Sequence, residues 1–173
     1  LNRHVFKENP MSSKPVNYGT ADPEQRASLT GLELMRTMLA GDLPGPTIGR
    51  TLNFVLVEVE KGHAKFEGHP TDQILNPLGI VHGGWALTLI DSACGCAAHS
   101  TLPAGVGYTT LETKVNFTRA ITPNTGKVFA EGHVVAQGRQ VITAEAKVTD
   151  ANGRLLAHGT STLLVLRPEK QGS

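Results

Sequence analysis

One stretch limits what this chain can fold into more than any other: Asn76-Pro-Leu-Gly-Ile-Val-His-Gly-Gly-Trp-Ala-Leu-Thr-Leu-Ile-Asp-Ser-Ala-Cys-Gly-Cys-Ala-Ala-His99. It opens on polar and turn-forming residues, passes through Gly83 and Gly84, and carries a single carboxylate, Asp91, between Trp85 and Ala98. A helix this apolar on every side is normally wrapped by the rest of a protein. The small residues Ala86, Ala93, Gly95 and Ala97 would let a sheet approach it closely. The pattern predicts a buried central helix with Asp91 buried midway along it.

Aspartate is a poor helix-interior residue, and Asp91 lies too far past the glycines to cap the helix start. Burying its charge costs free energy unless partners or a chemical task compensate. Two readings stay open: a carboxylate satisfied by Ser92, Thr88 or a neighbouring strand, or a reactive group. The glycines favour the second. Gly83 and Gly84 at the helix mouth would present free N–H groups backed by the positive end of the helix dipole, an oxyanion or anion site. Eight helical residues separate Gly83 from Asp91 by roughly 12 Å along the axis, too far for both to act on one carbonyl. The chemistry therefore asks for two copies of the chain, Asp91 of one facing Gly83 of the other.

The 173 residues suit one domain with a full core. A net charge of +1 advertises neither a nucleic-acid footprint nor a membrane-surface patch. Cys94 and Cys96 are the only cysteines and point to different faces of the helix, so neither a disulfide nor a zinc site is expected, and a reducing compartment is implied. No apolar run reaches the roughly 18 residues of a membrane span, and no basic-then-apolar leader opens the chain. A cytoplasmic protein without membrane or nucleic-acid partners is expected.

Residues 1–28 are polar, charged and without a sustained period, and read as an arm or tail. Leu32, Met35 and Leu39 recur at helical spacing within 29–40, and Gly41 stops the run. This helix, followed by the linker through Pro46, would pack on the main body and could cover part of a pocket or a subunit contact. The stretches 51–60 and 63–68 alternate and read as a hairpin around Lys61-Gly62. His63 and His69, at strand ends, read as surface histidines with no acidic or His partner at ligand spacing, so no metal is expected. Four strand candidates follow the helix: 108–118, 127–137, 140–150 and 154–166. Asn152-Gly153 is a strong hairpin signal. One helix among mainly antiparallel strands is an α+β pattern. The domain is expected over 47–167, with 168–173 a tail. No P-loop, dinucleotide fingerprint or Gly-x-Ser-x-Gly elbow occurs.

Asn76, Gly79, His82-Gly83-Gly84 and Asp91, in this spacing and followed by strand-like segments, resemble the hotdog-fold acyl-CoA thioesterases of the PaaI type. The resemblance covers roughly residues 47–166. It implies a curved antiparallel sheet wrapped around the long central helix, with an extra N-terminal helix here. It also implies dimers joining two sheets into one, and a homotetramer built from such dimers. The substrate would be an acyl-CoA, of aryl or phenylacetyl type, with coenzyme A part of the substrate and no separate cofactor.

In that family frame Asp91 attacks the thioester or activates water, and the Gly83 N–H polarises the carbonyl. Neighbouring donors are expected to hold the desolvated Asp91 charged. Asn76 would place the carbonyl or the water, or else serve only as a turn residue before Pro77. Thr110 falls where the family often carries a Ser or Thr beside the catalytic carboxylate. His82 would hydrogen-bond the preceding loop and fix the glycine geometry. The nucleotide of CoA would lie near Gln137, Gly138 and Arg139, with Arg119 a second cationic candidate. Trp85, Leu87, Leu89 and Phe117 could line the acyl pocket or fill the core. A hotdog dehydratase or hydratase, and a non-catalytic acyl-CoA-binding module, are the competing readings.

Overall fold

A computed structural model describes residues 16–168; the first fifteen residues of the expected arm and the last five of the tail lie outside the described residues. The helices are α1 (Pro23–Ser28), α2 (Gly31–Leu39), α3 (Thr47–Leu52) and α4 (Gly83–His99). The strands are β1 (Phe54–Glu60), β2 (His63–Gly68), β3 (Gly107–Phe117), β4 (Val128–Gln137), β5 (Val141–Asp150) and β6 (Leu155–Leu166). All six form one antiparallel sheet in the order β1-β2-β4-β5-β6-β3, and α4 touches every strand of it. This is the α+β hotdog architecture, a sheet curled around one helix.

The sheet comes close to α4 because small residues face each other. Ala64, Gly132, Ala146 and Gly159 stand in one cross-strand row over β2, β4, β5 and β6, beneath Ala93 and Ile90 of α4. A β-carbon on Gly132 would stand 2.5 Å from the carbonyl carbon of Ala93 and 2.6 Å from its oxygen. Backbone against backbone cannot yield as a side chain can. Gly132→Ala is therefore expected to cost about 3 kcal/mol, at the top of the overpacking range. For a chain of this length that is a fall in Tm of roughly 6–12 °C. Thermal unfolding checks this, and a Tm within about 2 °C of wild type would show that the sheet is not held at contact distance.

Trp85 is core rather than pocket: its ring packs over Gly68 and its Nε1–H donates to the Leu52 carbonyl at 2.7 Å. Leu89 is likewise fully buried. The helix is not wrapped on every side, however. Leu87 is exposed and Gly84, Thr88, Asp91 and Ser92 are half-buried, a continuous stripe that the sheet leaves partly uncovered. Asp91 is thus half-buried, not sunk in the core, because the sheet ends at β3 and nothing within the described residues lies beyond it.

The N-terminal segment differs from the sequence reading in two places. Residues 23–28 of the expected arm form α1, capped by Asp22, whose Oδ1 accepts from the N–H groups of Glu24 and Gln25. Residues 51 and 52, read as strand, close the short helix α3 instead. Asn53 terminates it in the left-handed region (φ 55°) and its Nδ2–H donates to the His69 carbonyl at 3.0 Å, so the alternating pattern of β1 begins only at Phe54. Helix α2 agrees with its periodicity. Thr30 and Glu33 form a capping box at its start, and Gly41 (φ 76°) turns the chain after it.

Candidate active site

Asp91 is met from β3, the edge strand that runs alongside α4. Its Oδ1 accepts hydrogen bonds from the Thr110 and Thr113 hydroxyls, each 3.0 Å away. Residues three apart on a regular strand point to opposite faces. Here the register slips between Thr110 and Glu112, and this bulge at Leu111 turns both threonines to the same carboxylate. Ser161 of β6 supports them, with Oγ 3.1 Å from Thr113 Oγ1 and donating to the Glu112 carbonyl at 3.0 Å. Thr88 donates to the Gly84 carbonyl and does not bond Asp91. Among the described residues no hydrogen bond reaches Asp91 Oδ2. One carboxylate oxygen is pinned and the other is open.

The helix mouth is the second half of the site. His82 is the N-cap, and its Nδ1 accepts from the Gly84 N–H at 2.9 Å, which puts the ring proton on Nε2. The ring therefore caps the helix's own first turn, and the preceding loop is held by the His82 backbone N–H on the Ile74 carbonyl instead. Gly84 is thereby occupied, and beside it the Gly83 N–H has no hydrogen bond to any described residue. Asn76 closes the loop before it: its Oδ1 accepts from the N–H groups of Leu78 (2.9 Å) and Ile80 (3.3 Å). Because both of these neighbours are donors, the side-chain amide must turn its NH₂ the other way. Asn76, His82, Gly83, Phe117 and Arg119 line one cavity of about 470 Å³. The Phe117 ring packs on Gly83, where a β-carbon would stand 3.0 Å from its tip, and Phe117 remains 57% exposed.

A sequence profile described as the Thioesterase superfamily matches residues 78–157, which span the helix mouth, Asp91 and both threonines. A Saccharolobus solfataricus protein named as an esterase is 31% identical over 124 residues, covering 72% of this chain and 86% of that protein. The chain belongs to the thioesterase superfamily. The 1,4-dihydroxy-2-naphthoyl-CoA hydrolase of Listeria monocytogenes is 27% identical over 120 residues, 69% of this chain and 96% of that one. Among solved structures, a phenylacetic acid degradation-related protein of Ralstonia eutropha superposes with a TM-score of 0.68 at 27% identity, over 75% of this chain and 97% of its own. Thioester hydrolysis is the general chemistry of such a chain, as the PaaI-type resemblance implies.

In this thioesterase-superfamily chain the residues singled out by sequence fall into three places. Asn76, His82, Gly83 and Arg119 share the cavity at the helix mouth. Asp91 sits midway along α4, with Thr110 of β3 hydrogen-bonded to it. Gln137, Gly138 and Arg139 form the exposed β4–β5 turn at the opposite end of the sheet, where Arg167 donates to the Arg139 carbonyl at 3.4 Å. Thr113 and Ser161 were missed, because simple alternation puts Thr113 on the face away from Thr110.

The cysteines are not alternative nucleophiles. Burial, with the Asp91 charge adding to it, pushes both thiols up to about 12, so they remain protonated near neutrality. Burial pushes His99 below the ordinary histidine range, and its ring packs 5.4 Å from the Tyr108 ring. A second cavity, about 190 Å³ and almost wholly apolar, lies between α2 and the sheet. Met35, Met38, Leu39 and Phe54 line it, with Cys96 and His99 of α4 contributing to its wall. No helix among the described residues is long and apolar enough to cross a membrane.

Proposed function

We propose that the protein is a cytoplasmic acyl-CoA thioesterase whose active site is completed across a dimer, with two dimers forming a homotetramer. Asp91 Oδ2 of one subunit attacks the thioester carbonyl or takes the proton of an attacking water. The Gly83 N–H of the partner subunit, with the Asn76 NH₂ beside it, receives the oxyanion. Either route ends with the C–S bond broken, coenzyme A leaving as the thiol and the acyl group as the free acid.

One observation carries this reading: a carboxylate fixed by two threonines and a spare amide N–H stand on the same helix, roughly 12 Å apart along it. Neither is complete alone. The edge strand supports the dimer. β3 is eleven residues long and hydrogen-bonded on one side only, with Leu111 59% exposed at its bulge and Phe117 exposed at its end. A long, uncovered edge is a liability that pairing with a second copy removes. A twofold perpendicular to β3, pairing that strand antiparallel with its copy, would turn the mouth of one helix toward Asp91 of the other. It would also bring Arg119 to the same end of the joined sheet as the Gln137-Gly138-Arg139 turn of the partner subunit, which a single chain keeps apart.

The cavity under α2 supports an aromatic or short acyl group. An apolar cavity of about 150 Å³ is enough for benzene, and the chamber here is about 190 Å³. Cys96 in its wall lies five residues beyond Asp91, about 7.5 Å along the axis. The aromatic acyl group in the name of the Listeria relative points the same way.

Subunit mixing tests the shared site. Asp91→Asn and Gly83→Pro each disable both sites of a homodimer, but a mixed dimer holds one intact site and one doubly altered. Co-expression and random assortment are expected to restore about a quarter of wild-type hydrolysis. Activity no higher than that of the better single variant would place Asp91 and Gly83 in separate sites.

A further inference from the structure

The outer face of the sheet, turned away from α4, carries a cluster that the hydrolytic site does not use. His63 on β2 stands directly opposite His133 on β4, and Glu131 precedes His133 by two residues on the same face. The His63 and His133 rings stack with centroids 4.6 Å apart at 26°. Both Nε2 atoms turn to the same carboxylate oxygen, Glu131 Oε1, at 3.0 Å from His63 and 3.8 Å from His133. The three ligand atoms lie within 4.8 Å of one another. The sequence reading of His63 as a surface histidine without partners fails here, because its partners come by strand register from seventy residues away.

We propose that His63, His133 and Glu131 bind one divalent first-row transition ion, with zinc as the representative. Two imidazoles and one carboxylate are the donor set of open zinc sites, in which water takes the fourth position. Donors around a tetrahedral zinc stand roughly 3.4 Å apart, and the two nitrogen-to-oxygen separations here, 3.0 and 3.8 Å, bracket that spacing. The surroundings support ligation as well. Glu58 Oε1 lies 3.7 Å from His63 Nδ1, the nitrogen left over when Nε2 ligates. A carboxylate behind a ligating histidine fixes its ring and tautomer and raises its basicity.

Two lysines flank the cluster without occupying it. Lys65 turns to the Phe129 ring at 5.2 Å, and Lys147 faces the adjoining groove together with Glu145 and His158. On the groove side Glu131 and His133 are open to an arriving ion. A bound ion would clip β2 to β4 in register and would leave Asp91, on the other side of the sheet, untouched.

Untagged protein titrated with Co²⁺ would report the site through its visible absorption, with Zn²⁺ competing. The expected result is saturation at one ion per protomer and a rise in Tm of several degrees with excess Zn²⁺. His63→Ala and His133→Ala should each weaken binding by about 100-fold or more, and Glu58→Gln by about 10- to 100-fold. The metal-free Tm of each variant, set against metal-free wild type, reads the loss of the imidazole's own contacts, and the further rise with excess Zn²⁺ should vanish in both histidine variants, which separates lost ligation from lost stability. Absence of saturable Co²⁺ binding to the wild-type protein, or binding that either histidine variant retains, overturns the proposal.

Discussion

Asp91→Asn should lower the rate of thiol release from an acyl-CoA by about 100- to 10,000-fold, the span that a positioned proton acceptor commands. The substitution is close to isosteric, and the asparagine carbonyl can keep both bonds now made by Oδ1 to Thr110 and Thr113. What changes is the open position: an NH₂ that can neither take a proton from water nor attack a carbonyl replaces the free Oδ2. The fold should be indifferent, because Asp91 is half-buried and its pinned oxygen keeps its partners. Unfolding free energy should move by no more than about 0.5 kcal/mol. Affinity for a non-hydrolysable acyl-CoA analogue should persist, since in the proposed site the carbonyl would be held by Gly83 and Asn76 of the partner subunit. A variant that hydrolyses within about tenfold of wild type would remove Asp91 from the chemistry. The half-buried carboxylate with two threonine donors would then be a structural feature of the α4–β3 contact.

What could be read in advance and what could not divides along physical lines. Helix α4 was legible because apolar composition, small residues and the Gly-Gly start all act locally, and its observed bounds, Gly83–His99, follow them. The strands were legible where local turn chemistry fixes their ends. Asn152-Gly153 is an example, with Gly153 at φ 78° and Asp150 Oδ1 accepting from the N–H groups of Asn152 and Arg154. Longer-range choices were not. Whether an all-apolar helix leaves a stripe uncovered depends on where the sheet stops, which no window around Asp91 encodes. Thr113 faces Asp91 only because of a bulge, and no residue type at Leu111 signals one. The His63–Glu131–His133 cluster depends on a strand register set by β2 skipping over α4 and β3 to pair with β4. Alternation had to fail at Leu52 for a related reason: Asn53 commits to a helix stop whose hydrogen-bond acceptor, the His69 carbonyl, lies sixteen residues downstream.

Gly83→Pro is the matching test at the helix mouth and should cost about 100- to 1,000-fold in kcat, the usual consequence of losing one oxyanion donor. Proline deletes the N–H and little else at this position. Gly83 is the first residue of α4, where the amide has no intrahelical acceptor and proline's fixed φ suits the helix. The residue before a proline must be extended, and His82 already is, at φ −61° and ψ 134°. The cap from the Gly84 N–H to His82 Nδ1 can therefore survive. Of the three ring carbons that proline adds, the β-carbon would stand 3.0 Å from the tip of the Phe117 ring, and Phe117 is exposed enough to swing aside. Gly83→Ala introduces the same β-carbon and keeps the N–H, so it measures the cost of the contact with Phe117. Deep loss in the proline variant with a mild one in the alanine variant assigns the effect to the amide. Equal losses in the two would mean that Gly83 is a glycine for the sake of Phe117, and that the oxyanion is received elsewhere.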